Sequence, residues 1–337
     1  MMASEINHIA IIGAGAWGSA LALVARRAGR KVTIWAYEKE TVEAINTSHE
    51  NPDFLPGIKF DPEITASSDI QAVTAKADAV FLVTPAQKLR FCLEMIAPSW
   101  PAHAPGVICA KGIEEGSGKL MSEVFAEILP DTKLAVLSGP TFASEVAADL
   151  PTAVTLACGD DGLGERLAAA IGSRHFRPYL SSDVTAAEIG GAIKNVLAIA
   201  AGIVLGRGLG ENARAALITR GLAEMIRLGT AKGAAPVALT GLAGFGDLCL
   251  TCTSEQSRNM SLGRRLGEGI PLNDILVTRK SVAEGVYSSA SVLALSTHLG
   301  IEMPICSAVN AVLHQGADID DAISSLLARP FTNETGT

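Results

Sequence analysis

Two hydrophobic rhythms divide the chain. From residue 8 to about 180, short apolar runs alternate with stretches whose apolar positions recur at helical spacing, as in WGSALALVARRAG. HIAII, KVTIW, DAVFLV, GVICA, KLAVLS and TAVTLA read as strands. Such alternation predicts an α/β arrangement, a doubly wound Rossmann-type parallel sheet covered by helices on both faces. After about residue 183 the rhythm changes to long Ala- and Leu-rich helical stretches, broken at GRGLG, KGAAP, GEGIP and LGIEMP, with no strand candidate. The expected organisation is a dinucleotide-binding domain over 1–182, an all-helical C-terminal domain over 183–330, and a flexible tail, FTNETGT, at 331–337.

Composition narrows the class. With 337 residues, 48% of them hydrophobic and 18% charged, the chain suits a packed globular protein of two domains. A net charge of −8 removes the basic field that non-specific nucleic-acid binding exploits, so any anion must meet a local basic pocket. The longest uninterrupted apolar run begins at Val196 and is closed by Arg207, too short for a membrane span. MMASEINHIAII has no basic leader and its apolar run ends at GAG, so it reads as a strand and the expected compartment is the cytoplasm. Six scattered cysteines suit reduced thiols. Cys249 and Cys252 in CLTC have metal-like spacing, but no second ligand pair accompanies them, so no metal is expected and they read as small buried residues beside a loop.

GAGAWG, Gly13 to Gly18, lies directly after HIAII and directly before a helix. In that setting the GxGxxG spacing has a physical logic: Gly13 allows the tight turn, Gly15 lets backbone approach a pyrophosphate, and Gly18 lets the helix pack on the strand. The helix amino terminus then offers unpaired N–H groups to the phosphates. The second strand ends near Ala36, Tyr37 and Glu38, where a carboxylate favours NAD and a cation favours NADP. Glu38 is followed at once by Lys39, which leaves that choice open.

Lys194 is the one charge in GGAIKNVLAIAAGIVLG. On a helix, its face carries Ala187, Gly190, Gly191, Ala198, Ala201 and Gly202, while Ile189, Val196, Ile199 and Ile203 form the opposite, bulky face. The small side is expected to leave room around the ammonium. Either the lysine extends its stem along the helix to water, or it is an acid/base group whose pKa is lowered by partial desolvation or a second cation. In GFGDLCLTCTSEQSRN, the Ser257–Arg258–Asn259 triplet precedes a short helix, and combines hydroxyl, guanidinium, amide and exposed backbone donors suited to one phosphate.

Taken together, IIGAGAWGSALA, AKGIE, SGPTFASE, GGAIKNVLAIAAGI, ENARAALITRGLAEM, GLAGFGDLCLTCTSEQSRN and VAEGV resemble the bacterial-type NAD(P)-dependent glycerol-3-phosphate dehydrogenase family over nearly the whole chain. The resemblance implies hydride transfer between NAD(P)(H) and the sn-glycerol 3-phosphate/dihydroxyacetone phosphate pair, supplying phospholipid synthesis. It implies Lys194 as acid/base, Lys111 as a second active-site lysine that also contacts cofactor and substrate, and Asp247 and Thr251 as completing the catalytic network. Ser257, Arg258 and Asn259 match the substrate triplet, with Arg258 also near the cofactor. Gly139 and Thr141 fall on the substrate side. Ala16, Trp17, Tyr37, Ala143, Val282 and Glu284 match further cofactor contacts. Tyr37 departs from the basic residue common in NADPH-preferring members. The partners implied are the small phosphorylated substrate, no nucleic acid and no membrane, with room for a homodimer. A related two-domain hydroxyacid or 6-phosphogluconate-type dehydrogenase is the alternative.

Overall fold

The structure is a computed structural model that describes residues 5–277 and 283–330, so Val282 and the tail at 331–337 lie outside the described residues. The strands are β1 (His8–Ile12), β2 (Lys31–Trp35), β3 (Glu50–Asn51), β4 (Leu55–Lys59), β5 (Thr65–Ser67), β6 (Ala79–Leu82), β7 (Gly106–Ile108), β8 (Leu134–Ser138), β9 (Thr152–Ala157) and β10 (Phe176–Ser181). Between them run α1 (Ala16–Arg27), α2 (Lys39–Ser48), α3 (Ile70–Thr74), α4 (Leu89–Ile96), α5 (Met121–Ile128), α6 (Ala143–Ala147) and α7 (Asp161–Ile171). The rest is helical: α8 (Val184–Gly206), α9 (Gly210–Ala231), α10 (Pro236–Leu239), α11 (Asp247–Thr253), α12 (Arg258–Gly267), α13 (Leu272–Val277), α14 (Glu284–His298), α15 (Pro304–His314) and α16 (Ile319–Leu327).

Eight strands form one sheet in the order β10-β9-β8-β7-β6-β1-β2-β5, and β3 and β4 make a separate hairpin. Alternate residues of β1 feed two cores. Ile9 and Ile11 pack with α1, α6 and α7, whereas Ala10 and Ile12 pack with α3, α4 and α5. Burial on both faces is why these strands read as continuous apolar runs.

The sheet departs from the expected all-parallel form in one place: β9 runs antiparallel to β8, and β10 follows β9. The β8–β9 link holds only α6, whose five residues rise about 7.5 Å, well short of the ~17 Å height of a five-residue strand. The chain therefore turns back at the carboxyl edge of the sheet and keeps α6 there. Neither β5 nor β10 is expected from the pattern. β5 is three residues long, and β10 is an edge strand with exposed Tyr179 and Leu180 and an internal Pro178, a residue tolerated at edges.

The second region is organised around α8. Asp183 caps it, its carboxylate accepting from Ala186 N at 2.8 Å and, with the other oxygen, from Ala235 N at 2.7 Å. Every residue from Ala186 to Val204 is buried, as expected of a helix apolar on all sides. By length and composition two helical stretches, Val184–Gly206 and Pro236–Thr253, could cross a membrane. The first is enclosed by α9, α11, α12, α14 and α15, and both carry polar site residues described below.

The small face of α8 does not leave the space expected of it. A Cβ on Gly202 would collide with the Met260 carbonyl, one on Gly263 with the Ile199 carbonyl, and one on Gly190 with the Ala243 carbonyl. The glycines let the α12 backbone and the turn at Leu242–Gly246 lie directly against α8; at Gly191 the space is taken by the Lys111 stem, 3.2 Å from a Cβ position. Because the opposing atoms are backbone, Gly263→Ala is expected to cost about 2–3 kcal/mol, read as a lower denaturant midpoint.

Candidate active site

The carboxyl ends of adjacent parallel strands bring the first set of residues together. Gly13 follows β1, Val83 follows β6, Lys111 lies just beyond β7, and Gly139 follows β8. Lys111 thus stands two strands from Gly13, about 10 Å along the sheet edge. The β1/β6 boundary is where the strand order reverses, the place where doubly wound sheets bind ligands.

At the glycine turn, Gly13 has φ +119°, and a Cβ there would lie 2.8 Å from the Val83 carbonyl oxygen. A Cβ on Gly18 would strike the Gly13 carbonyl. Gly15 differs, since a Cβ there would meet no protein atom within 4 Å. It is the N-cap of α1, which has no capping side chain and no acidic residue in its first turn. Trp17 in that turn holds a buried Nε1 without a hydrogen-bond partner. An open cradle at Gly15, an uncapped helix start and an orphan indole N–H together fit an anionic pyrophosphate at Ala16 and Trp17. Tyr37 lies 78% exposed beyond β2, edge-on to Trp35. Ala143 opens α6 at the same carboxyl edge.

The lysines meet on one carboxylate. Asp247, the first residue of α11 and fully buried, accepts from Lys194 Nζ at 2.5 Å through Oδ1 and from Lys111 Nζ at 2.6 Å through Oδ2. Lys111 also donates to the Gly139 carbonyl at 3.3 Å, tying the ends of β7 and β8 to the helical region. Gly139 has φ +143° and a Cβ there would be 3.0 Å from Val154 Cα, so only glycine fits. Thr141 donates to the same carbonyl at 3.4 Å. Thr251, one turn along α11, lies 3.3 Å from Lys194 Nζ and donates to the Asp247 carbonyl at 2.6 Å.

Electrostatics follow from this geometry. Burial pushes the Lys194 ammonium down to about 8; the Asp247 charge resists that shift and the Lys111 charge adds to it. Burial alone would raise the Asp247 carboxyl, but the two ammonium groups outweigh it and hold it below the usual carboxylate range. Lys194 is therefore not a lysine reaching for water: its side chain is 9% exposed and ends on a carboxylate.

The remaining residues surround this centre. Ser257 caps α12, its hydroxyl accepting from Met260 N at 3.2 Å, and Arg258 is the exposed first residue of that helix. Asn259 is buried. It donates to Asn195 Oδ1 at 2.9 Å and accepts from Gly285 N at 3.0 Å, joining α8 to α14. Glu284, half-buried at the start of α14, has its carboxyl raised by burial and drawn back by the charges of Arg258, Lys194 and Lys111. Cys249 and Cys252 lie within α11 rather than beside a loop, and both are free thiols.

Sequence patterning misses the braces of the site. Gln87 pins the loop after Lys111 by donating to Ile113 O at 2.8 Å and accepting from Glu115 N at 2.9 Å, and Arg90 grips Glu114 through two bonds of 2.8 and 2.9 Å. Buried Glu188, raised to about 7 by burial, accepts from the Ser122 N–H and hydroxyl and joins α8 to the start of α5. These polar residues have no fixed spacing to the motifs, so no local signal marks them.

Comparison with known proteins identifies the arrangement. Residues 8–163 match the family model of the NAD-dependent glycerol-3-phosphate dehydrogenase N-terminus, and residues 183–324 match that of its C-terminus. The chain is 59% identical over 332 residues to a glycerol-3-phosphate dehydrogenase (NAD(P)+) of Rhodospirillum rubrum, covering 98% of this chain and 95% of the relative. It is 55% identical to that of Parvibaculum lavamentivorans, over 99% of this chain and 100% of the relative. The crystal structure of glycerol-3-phosphate dehydrogenase from Coxiella burnetii superposes with TM-score 0.93 at 40% identity, covering 96% of this chain and 99% of that one. With both halves matched and near-complete coverage at these identities, the hydroxyacid and 6-phosphogluconate alternative is not favoured, and the chain belongs to the NAD(P)-dependent glycerol-3-phosphate dehydrogenase family.

Proposed function

We propose that, within this dehydrogenase, Lys194 is the proton donor to the ketone oxygen of dihydroxyacetone phosphate and the proton acceptor in the reverse direction. The observation that carries the reading is one buried carboxylate, Asp247, holding two ammonium groups at the carboxyl edge of the sheet. The bound nicotinamide supplies or takes the hydride at the secondary carbon. Lys194 holds the matching proton at Nζ, and its pKa near 8 makes transfer in either direction feasible near neutrality. Lys111 stabilises the developing negative charge on oxygen, while Asp247 and Thr251 fix the direction of the Lys194 ammonium. The Gly139 and Thr141 turn lines the substrate side.

In this reading Arg258, with the α12 amino terminus and Ser257, grips the phosphate, and Asn259 holds the triplet through Asn195 and Gly285. Gly13, Gly15, Ala16, Trp17 and Gly18 receive the pyrophosphate. Tyr37 lies toward the adenosine, and Ala143 and Glu284 border the nicotinamide side. The product serves phospholipid synthesis. The free thiols among the described residues suit a reducing cytoplasmic setting. A homodimer belongs to the same reading and would sediment at twice the chain mass.

Three measurements test the assignment. Lys194→Ala should lower reductive kcat by about 10²–10⁴-fold while nucleotide binding stays measurable by nicotinamide fluorescence. An unchanged kcat would refute the role.

Reduction needs Lys194 protonated, so reductive kcat/KM should fall as pH rises through about 8, and the oxidative direction should gain over the same range. Asp247 supports the charged ammonium, so Asp247→Asn should move the reductive limb to lower pH.

Arg258→Ala should raise KM for dihydroxyacetone phosphate by about 10–100-fold and leave that for unphosphorylated dihydroxyacetone nearly unchanged. Equal effects on the two substrates would rule against phosphate binding there.

A further inference from the structure

A polar contact behind the glycine turn is required neither by the GxGxxG spacing nor by the lysine centre. Asn51, in the two-residue strand β3 of the separate hairpin, is completely buried. Its side-chain amide donates to the Ala14 carbonyl at 2.7 Å and to Ser19 Oγ at 2.9 Å, and its Oδ1 accepts from Phe54 N at 3.4 Å. The Ser19 hydroxyl lies 3.4 Å from the same Ala14 carbonyl, closing a triangle. A carbonyl only accepts, so the amide nitrogen and not the amide oxygen must face it.

The consequence follows from peptide geometry. The Ala14–Gly15 peptide is trans and planar, so the Ala14 C=O and the Gly15 N–H point in opposite directions. Holding the carbonyl toward Asn51 turns the Gly15 N–H away from the hairpin. Gly15 is also the turn residue whose Cβ position is empty of protein atoms. We propose that Asn51 is a positioning residue for the dinucleotide, fixing with Ser19 the peptide plane that presents the Gly15 amide to the pyrophosphate.

The hairpin is built to hold that position. Leu55 and Phe60 enter the hydrophobic core beneath α1, Phe60 N donates to His49 O at 2.8 Å, and Lys59 pairs with Glu50 at 2.8 Å. Without the amide, the Ala14 carbonyl would keep only the longer Ser19 contact, and the plane could rotate. Preorganised donors bind anions better than donors that must first be ordered.

The proposal rests on reading GAGAWG as the dinucleotide turn, and the experiment separates the two. Asn51→Asp keeps the shape but sets a carboxylate oxygen against a carbonyl; Ser19→Ala removes the other support. In the full-length enzyme, Asn51→Asp should raise the Kd for NADH and NADPH, and the Ki of ADP-ribose, by about tenfold. The Ki of adenosine, which carries no phosphate, and the KM of dihydroxyacetone phosphate at saturating nucleotide should stay within about twofold. An unchanged ADP-ribose constant overturns the proposal, as does an equal loss for adenosine, which marks general loosening of the site. Should Asn51→Asp prevent folding, Ser19→Ala decides alone: a rise of about threefold for ADP-ribose without one for adenosine supports the role, and no rise overturns it. Wild-type enzyme that failed to bind ADP-ribose would instead refute the reading of the turn.

Discussion

Two buried charges that could not stand separately, Lys194 and Asp247, and the half-buried Lys111 beside them hold this site together. An isolated carboxylate at the depth of Asp247 would be strongly penalised, and so would the Lys194 ammonium next to it. Sharing one carboxylate between two lysines answers both problems, and leaves one positive charge beyond neutrality. In the proposed reaction, that residual charge is what a ketone oxygen would meet as it gains electron density. A single Lys–Asp pair would be neutral and would offer less to a developing alkoxide. The second lysine also keeps the first from holding its proton too tightly, since burial and Lys111 both act to lower the Lys194 pKa.

Much of the helical region serves to keep that triad in register. Lys194 sits in the middle of a 23-residue helix whose small face is pressed against the α12 backbone and the Leu242–Gly246 turn. The turn leads directly into Asp247, so close approach at Gly190 sets the carboxylate relative to the lysine one turn further along α8. Approach at Gly202 and Gly263 does the same for α12, whose amino terminus carries Ser257 and Arg258. Backbone-to-backbone contact has few soft degrees of freedom, so the relative placement of Lys194 and Asp247 is fixed by packing rather than by side-chain rotamers alone.

The legible and illegible parts of the molecule divide along physical lines. Continuous apolar runs and helical apolar periods report burial, so β1, β2, β6, β7, β8, β9 and the change to a helical region are readable. β5 escapes because three residues carry no period, and β10 because an edge strand with Pro178 exposes much of itself. The antiparallel return of β9 depends on the short α6, a length that composition does not announce. Lys194 stands out as a lone charge in an apolar run, yet its neighbours Gly190 and Gly202 read as empty space where the structure packs backbone. A glycine signals close approach, and the sequence does not say whether the approaching group is ligand or backbone. Asn51, Gln87 and Glu188 are invisible because their partners lie far along the chain, and such contacts have no local spacing.

The triad also makes the site depend on docking of the two regions. Lys111 belongs to the sheet, with its loop braced by Gln87 and Arg90, whereas Lys194 and Asp247 belong to the helices. Separating the regions would remove Lys111 from Asp247 and leave a carboxylate–ammonium pair with one carboxylate oxygen unmet. Breaking a buried ion pair in this way costs about 3–5 kcal/mol unless water enters to compensate. The Glu188 contact to Ser122 and the Lys232 contact to Glu123 at 2.6 Å cross the same boundary. Tyr37 and Arg258 lie exposed, whereas Asp247 at this seam is fully buried. The shared carboxylate thus ties the direction of the Lys194 ammonium to contacts from both regions.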